Sequence, residues 1–202
     1  MNASLFEPLT LRETTIPNRV MVSPMCQYSC DDRDGLATDW HHVHLGSRAV
    51  GGAGVVIAEA TAVEPRGRIS PNDLGIWSDE HAEALRPVTE FVRGQGSVPA
   101  IQLAHAGRKG SKTRPWEGSE PLQPDEGGYE VLAPSHRPYP IDGQPPELRE
   151  MTEDDVATLV ADGIAISLSY RLSTRSTAPL VVLHLAFAAV LGFALNNIFG
   201  LV

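Results

Sequence analysis

The run Val20-Met21-Val22-Ser23-Pro24-Met25-Cys26-Gln27-Tyr28 decides how this chain is read. Val20 to Ser23 is a short apolar strand that Pro24 ends, and a residue-specific segment follows it, where a strand hands over to a loop. Downstream, Asp39 can cap a helix from about Trp40 to Val50, which Gly51-Gly52 and Gly54 stop before a second apolar strand, Val55-Val56-Ile57-Ala58. Glu59-Ala60-Thr61-Ala62-Val63 lies at the end of that strand. The unit then repeats. Ser78 caps a helix with Asp79 and Glu80 in its first turn, where the dipole favours acids; Leu85, Val88 and Val92 share one face, Pro87 should kink it and Gly94 ends it. Val98 to Leu103 forms a third strand that leads into Ala104-His105-Ala106-Gly107-Arg108-Lys109. A loop rich in Pro and Gly extends to about Glu150, and Thr152 with Asp155 then makes a capping box that opens a third helix with Val156, Leu159 and Val160 inward. At the start, Leu9 to Leu11 and Thr14 to Ile16 flank Arg12-Glu13 as a short hairpin. Strands alternating with helices imply an α/β fold of parallel βα units, with the chemistry on the loops after the strands' carboxyl ends.

The chain has 202 residues, with 16 Lys+Arg against 25 Asp+Glu and a formal net charge of −9. Such a balance repels phosphate backbones and anionic membrane surfaces, so it argues against nucleic acid and points to a small-molecule partner. The opening MNASLFEPLTLRE has no apolar run beside a basic one, so the expected address is cytoplasmic. Cys26 and Cys30, a single C-x3-C pair, fit neither a disulfide framework nor a common zinc site and are expected to be free thiols.

Every acidic residue stands at or before Asp162, and beyond it the only charges are Arg171 and Arg175. The chain therefore divides by composition into residues 1–162 and a divergent, apolar tail, 163–202. From Ala178 to Leu195 the only polar side chain is His184, and the run reaches the lower edge of the about 17 to 25 residues that span a bilayer. A buried element of the domain, a membrane segment through residues 178–202, and residues foreign to the fold all remain open. The Ala/Leu-rich run favours a helix from about Ala178 to Leu195.

Taken together, SPMCQYS after the first strand, EATAV after the second, GRISPNDLGIWSDEH leading into a helix and QLAHAGRK after the third resemble the Old Yellow Enzyme family of FMN-dependent ene-reductases, in its cysteine-bearing branch of NADPH dehydrogenases and xenobiotic reductases. The resemblance runs from about Leu5 to Asp162. It implies a (β/α)8 TIM barrel with FMN across the carboxyl ends of the strands, here a partial barrel of about three βα units. It places Ser23, Pro24, Met25 and Cys26 against the flavin, Ala60 beside the ring and Gln102 on its pyrimidine edge, where an amide can both donate and accept. Cys26 resembles a redox-tuning neighbour rather than a nucleophile, and Tyr28 a substrate-side residue. The implied reaction passes hydride from NAD(P)H through FMN to an alkene conjugated to a carbonyl or nitro group, and the intact family members form homo-oligomers.

That family also polarises its substrate with a His-x-x-His or His-x-x-Asn pair after the fourth strand and anchors the flavin with later arginines. After Val160-Ala161-Asp162 this sequence instead reads GIAISLSYRLSTRSTAPLVVLHLAFAAVLGFALNNIFGLV, where His184 stands without the motif. The expectation is thus a barrel cut before its fourth strand, with a substituted end. The alternative to an enzyme is a catalytically inactive partial-barrel fragment, membrane-associated through its tail.

Plainer readings stand beside these. A lone Cys26 is more often a small buried hydrophobe, and Gln102 at the end of a buried strand can simply satisfy a loop carbonyl. His41, His42 and His44 look like a metal cluster, yet only His41 and His44 share a helix face, so helix surface and packing is the expected role and no metal is assigned. His105 either faces the site or makes a structural hydrogen bond. Arg108 and Lys109 read as loop residues, and the loop with Trp116, Tyr129 and Tyr139 as a lid or an excursion.

Overall fold

A computed structural model describes residues 4–136, 148–173 and 181–183, and for 165–173 and 181–183 it describes the backbone only. An antiparallel hairpin, β1 (Leu9–Leu11) and β2 (Thr14–Ile16), precedes a parallel sheet built from β3 (Met21–Val22), β4 (Val55–Ala62) and β5 (Val98–Ala104). Helix α1 (Asp39–Val50) connects β3 to β4, and α2 (Asp79–Gly94) connects β4 to β5. α1 is capped by Thr38 rather than Asp39: the Thr38 backbone N–H donates to His41 Nδ1 at 2.9 Å, and Asp39 supplies charge in the first turn instead. α2 runs unbroken through Pro87 to Gly94, where the sequence anticipated a kink; Pro87 is exposed, so the carbonyl it leaves without a helical donor can turn to water.

The two faces of the sheet bury different sets. Val56, Ala58, Ile101 and Leu103 pack toward the helices, against Leu45 and Ala49 of α1 and Leu85, Val88 and Val92 of α2. Val55, Ile57 and Ala100 form a second, inner cluster that Ile16 of the hairpin closes at the amino end. Burial on both faces is what a parallel sheet requires, and it explains the near-continuous apolar run of β4.

The region after β5 is not one irregular loop. Within it β6 (Val131–Ala133) and β7 (Leu148–Glu150) form a parallel pair. The expected capping box is present: Asp155 N–H donates to Thr152 Oγ1 at 3.2 Å, and Thr152 N–H donates back to Asp155 Oδ2 at 2.8 Å. It opens α3 (Glu153–Ser173), whose Leu159 is buried and which continues across position 162.

The tail supplies a correction. Val181–Leu183 is not helical; it forms β8, which pairs in parallel with β5 through Ala100↔Val181, Ile101↔Val182 and Gln102↔Leu183. The sheet order is β3-β4-β5-β8, so a fourth strand does stand beside the third. Val181-Val182 is β-branched, and the edge of β5 offers unpaired backbone groups. Tyr139 and the remainder of Ala178 to Leu195 lie outside the described residues. Among the described helices none is long and apolar enough to cross a membrane.

Candidate functional site

A bulge near the end of β4 organises the carboxyl edge of the sheet. Ala58 pairs with Ile101, but the next partners are Ala60 and Gln102, so Glu59 is the extra residue. The side chain at 59 turns toward α1, where Glu59 Oε1 lies 3.2 Å from His41 Nε2, and Ala60 comes to the face that carries Gln102. Without the bulge the strand's alternation would put the carboxylate on that inner face and the alanine under the helix. Ala60 and Gln102 are half-buried among buried neighbours, and among the described residues the Gln102 side-chain amide has no hydrogen-bond partner.

The segment after β3 closes over this edge. Ser23 and Met25 are exposed, while Pro24 and Cys26 are half-buried. The Cys26 thiol meets the Ala60 backbone N–H and the Tyr28 hydroxyl. Burial first, then the negative charges of Asp73 and Glu59, push the Cys26 thiol up to about 11, so it is a neutral thiol at physiological pH. Burial likewise pushes the Tyr28 hydroxyl up to about 12. Tyr28 takes a left-handed backbone (φ 53°), and its ring meets Trp116 edge-on at 5.8 Å. The sheet thus brings Cys26, Tyr28, Ala60 and Gln102 to one edge, with Ser23 to Met25 leading up to it.

Other anticipated candidates have structural partners. His105 Nε2 lies 2.8 Å from Glu64 Oε1, and Arg108 donates to Ser135 Oγ. His41 and His44 are buried rather than on the helix surface, and His42 packs on Phe91. The polar look of GRISPNDLGIW comes from packing: Arg68 donates to the Arg33, Pro65 and Pro71 carbonyls and lies 5.2 Å over the Trp77 ring. Two acids escaped the sequence reading, Glu59 and Asp73. A single carboxylate inside the apolar Val55–Ala62 run was the available signal for Glu59; nothing local marked Asp73, which is buried, accepts from Ile69 N–H at 2.7 Å and is raised to about 7, chiefly by burial.

The edge suits a flat, amphipathic ring. An alanine gives it a small apolar floor, a neutral thiol lies beside that floor, and an amide without a partner among the described residues is free to meet a polar rim. A model of the NADH:flavin oxidoreductase / NADH oxidase family matches residues 4–163. The chain belongs to that family. Its similarity to individual NADH:flavin oxidoreductases agrees: it is 46% identical over 156 residues to an NADPH dehydrogenase of Geobacillus sp. (strain WCH70), and 53% identical over 109 residues to the NADPH dehydrogenase of Bacillus subtilis (strain 168). These alignments cover 77% and 54% of this chain but 41% and 32% of the relatives, so the chain spans about two-fifths or less of their length. Among solved structures it resembles morphinone reductase (TM-score 0.69, 26% identity, 90% of this chain and 47% of that one). It also resembles the old yellow enzyme homologue from Zymomonas mobilis (TM-score 0.67, 26% identity, 89% and 47%). The sheet and its helices are therefore a portion of a TIM barrel of the Old Yellow Enzyme type.

Proposed function

We propose that this chain binds FMN at the carboxyl edge of β3, β4 and β5 and acts as the ring-holding part of an NAD(P)H-dependent ene-reductase. The observation that carries the reading is the meeting of Cys26, Ala60 and Gln102 on one edge, which the β4 bulge makes. Ser23 to Met25 and Cys26 would line one side of the ring, Ala60 would lie against it, and Gln102 would bond its pyrimidine edge. Bound FMN would supply the chemistry, accepting hydride from NAD(P)H and passing it to the β-carbon of an activated alkene. The chain's own residues would hold the ring flat, keep an uncharged thiol beside it and set Tyr28 on the substrate side. Morphinone reductase in complex with tetrahydroNAD, 25% identical to this chain, supports a nicotinamide as the hydride source.

A second reading, an inactive partial barrel, is favoured by one observation: no His-x-x-His or His-x-x-Asn pair follows Asp162 in the sequence to polarise the alkene. Purification of the full chain from a flavin-replete host separates the two. Stoichiometric FMN, identified by its visible spectrum and the mass of the released cofactor, followed by enone-dependent NAD(P)H oxidation, supports the enzyme. FMN without turnover supports the second reading, and a colourless protein overturns flavin binding.

A further inference from the structure

Every polar atom of Gln27 is hydrogen-bonded. Its backbone N–H donates to Glu59 Oε2 at 2.8 Å, and its side-chain amide donates to the Met25 carbonyl at 2.7 Å. It accepts from Trp40 Nε1 at 3.0 Å, and its carbonyl accepts from Ser29 Oγ at 3.0 Å. Immediately after it, Tyr28 holds its left-handed backbone, a strained conformation for a non-glycine residue that persists only where the surroundings impose it. Glu59 is the one partner in this set that comes from the sheet, and it is 3% exposed.

The chemistry at position 59 is restricted from the other side as well. His41, 1% exposed, accepts the Thr38 N–H on Nδ1, so its proton is on Nε2, which lies 3.2 Å from Glu59 Oε1 without the alignment of a hydrogen bond. Two N–H groups therefore face residue 59, that of Gln27 hydrogen-bonded to it and that of His41 in close contact without a hydrogen bond. A carboxylate has an oxygen for each; an amide has one acceptor and would set its NH2 against the second donor. The bulge delivers this carboxylate to the helix side while placing Ala60, the next residue, beside Cys26.

We infer that Glu59 is a positioning residue for the Cys26–Tyr28 turn: seated against His41, it fixes the Gln27 N–H and so the backbone next to the Cys26 thiol. What the turn is for rests on the flavin-binding reading above; that Glu59 holds it does not. The charged and titratable groups that face Cys26 are Asp73 from the segment after β4, Glu59 from β4, Lys109 from the turn after β5, and Tyr28 from its own segment. On the far side Glu59 meets His41 and His44 of α1. Of the groups facing Cys26, Glu59 alone is hydrogen-bonded to the residue next to the thiol.

The test uses the full chain and the variant E59Q, with two readouts that need no flavin. In the wild-type protein the Gln27 amide proton exchanges at least about a hundredfold more slowly than in an unstructured peptide, and in E59Q that protection falls. Alkylation of Cys26 at pH 8.5, mapped by mass against the buried Cys30 as internal control, is about threefold or more faster in E59Q, because the half-buried thiol becomes more accessible when the turn is released. An unprotected Gln27 amide in the wild type overturns the positioning role even if E59Q fails to fold. A folded E59Q with wild-type Cys26 alkylation shows that the hold does not extend to the thiol and overturns Glu59 as a positioning residue for Cys26. Where FMN is bound, its reduction potential rises in E59Q; a chain that binds no FMN defeats the proposed function and leaves both protein readouts to decide this one.

Discussion

Gln102 stands directly across from Ala60 in the register of β5 and β4, one step beyond the bulge at Glu59. The pair puts an amide and a methyl group side by side near the ends of two strands, between buried residues. If Gln102 bonds the polar edge of a flavin, Gln102→Leu removes a hydrogen bond and keeps the volume. The expected loss is about tenfold in FMN affinity, equivalent to about 1.4 kcal/mol, with urea stability unchanged to about 0.5 kcal/mol. A fluorescence titration of the apoprotein with FMN measures it, and an unaltered dissociation constant would remove Gln102 from the site.

Trp77 fixes the segment between β4 and α2 by filling the space that two glycines leave. A Cβ at Gly75 would run into the Trp77 ring, and one at Gly35, whose φ is +81°, would do so too. The ring is also covered by Arg68 and lies 4.2 Å from His81. A side chain here cannot be absorbed by a flexible neighbour, so Gly75→Ala is expected to cost about 2–4 kcal/mol. The midpoint of urea unfolding reports it directly; a loss below about 1 kcal/mol would mean the indole can move aside.

Strands β4 and β5 and the caps of α2 and α3 were legible because their signals are local: apolar runs, Ser78 before α2, the Thr152–Asp155 box before α3. The flavin-side residues were legible as ordered motifs. The bulge was not, since nothing in Ala58-Glu59-Ala60 states which residue is the extra one, and with it went the direction of Glu59 and its meeting with His41, residues far apart in sequence. Asp73 was hidden for a similar reason: its neighbours Cys26 and Glu59 come from other elements. In the tail, length and Ala/Leu content pointed to a helix, whereas the partner available along β5 makes Val181–Leu183 a strand. Pairing partners, unlike propensity, cannot be read from the segment itself.

Asp73 makes stability depend on pH in an unusual direction. One carboxyl oxygen accepts the Ile69 N–H, the other has no partner among the described residues, and burial raises the group from 3.8 to about 7. The folded protein therefore holds this proton more tightly than the unfolded chain. Its contribution to stability is full below about pH 4 and is lost as pH rises through 7. Asp73→Asn keeps the acceptor for Ile69 and removes the ionisation, so it should flatten the decline between pH 4 and 7. At pH 8 it should equal or exceed the wild type, by on the order of 1–2 kcal/mol. Urea midpoints across that range check this, and an equal loss at every pH would show that the carboxyl has a partner the amide cannot replace.

Glu64 and His105 act in the opposite sense. The loops after β4 and β5 are joined where His105 Nε2 donates to Glu64 Oε1 at 2.8 Å, with His105 Nδ1 occupied by the Gly107 N–H and Arg66 on the other Glu64 oxygen. Burial raises the Glu64 carboxyl, but the hydrogen bonds from His105 and Arg66 outweigh it and hold the group below its ordinary 4.5. A depressed carboxylate stabilises the fold above about pH 4.5 and loses that contribution as pH falls through the lower folded value. His105→Ala removes one donor and is expected to cost about 1 kcal/mol at pH 7, discounted because Glu64 is only partly buried. The cost should shrink as pH falls through the depressed folded value, once wild type and variant both carry a protonated Glu64. A variant whose deficit stays constant from pH 7 to pH 3 would show that His105 acts by packing and not through the carboxylate.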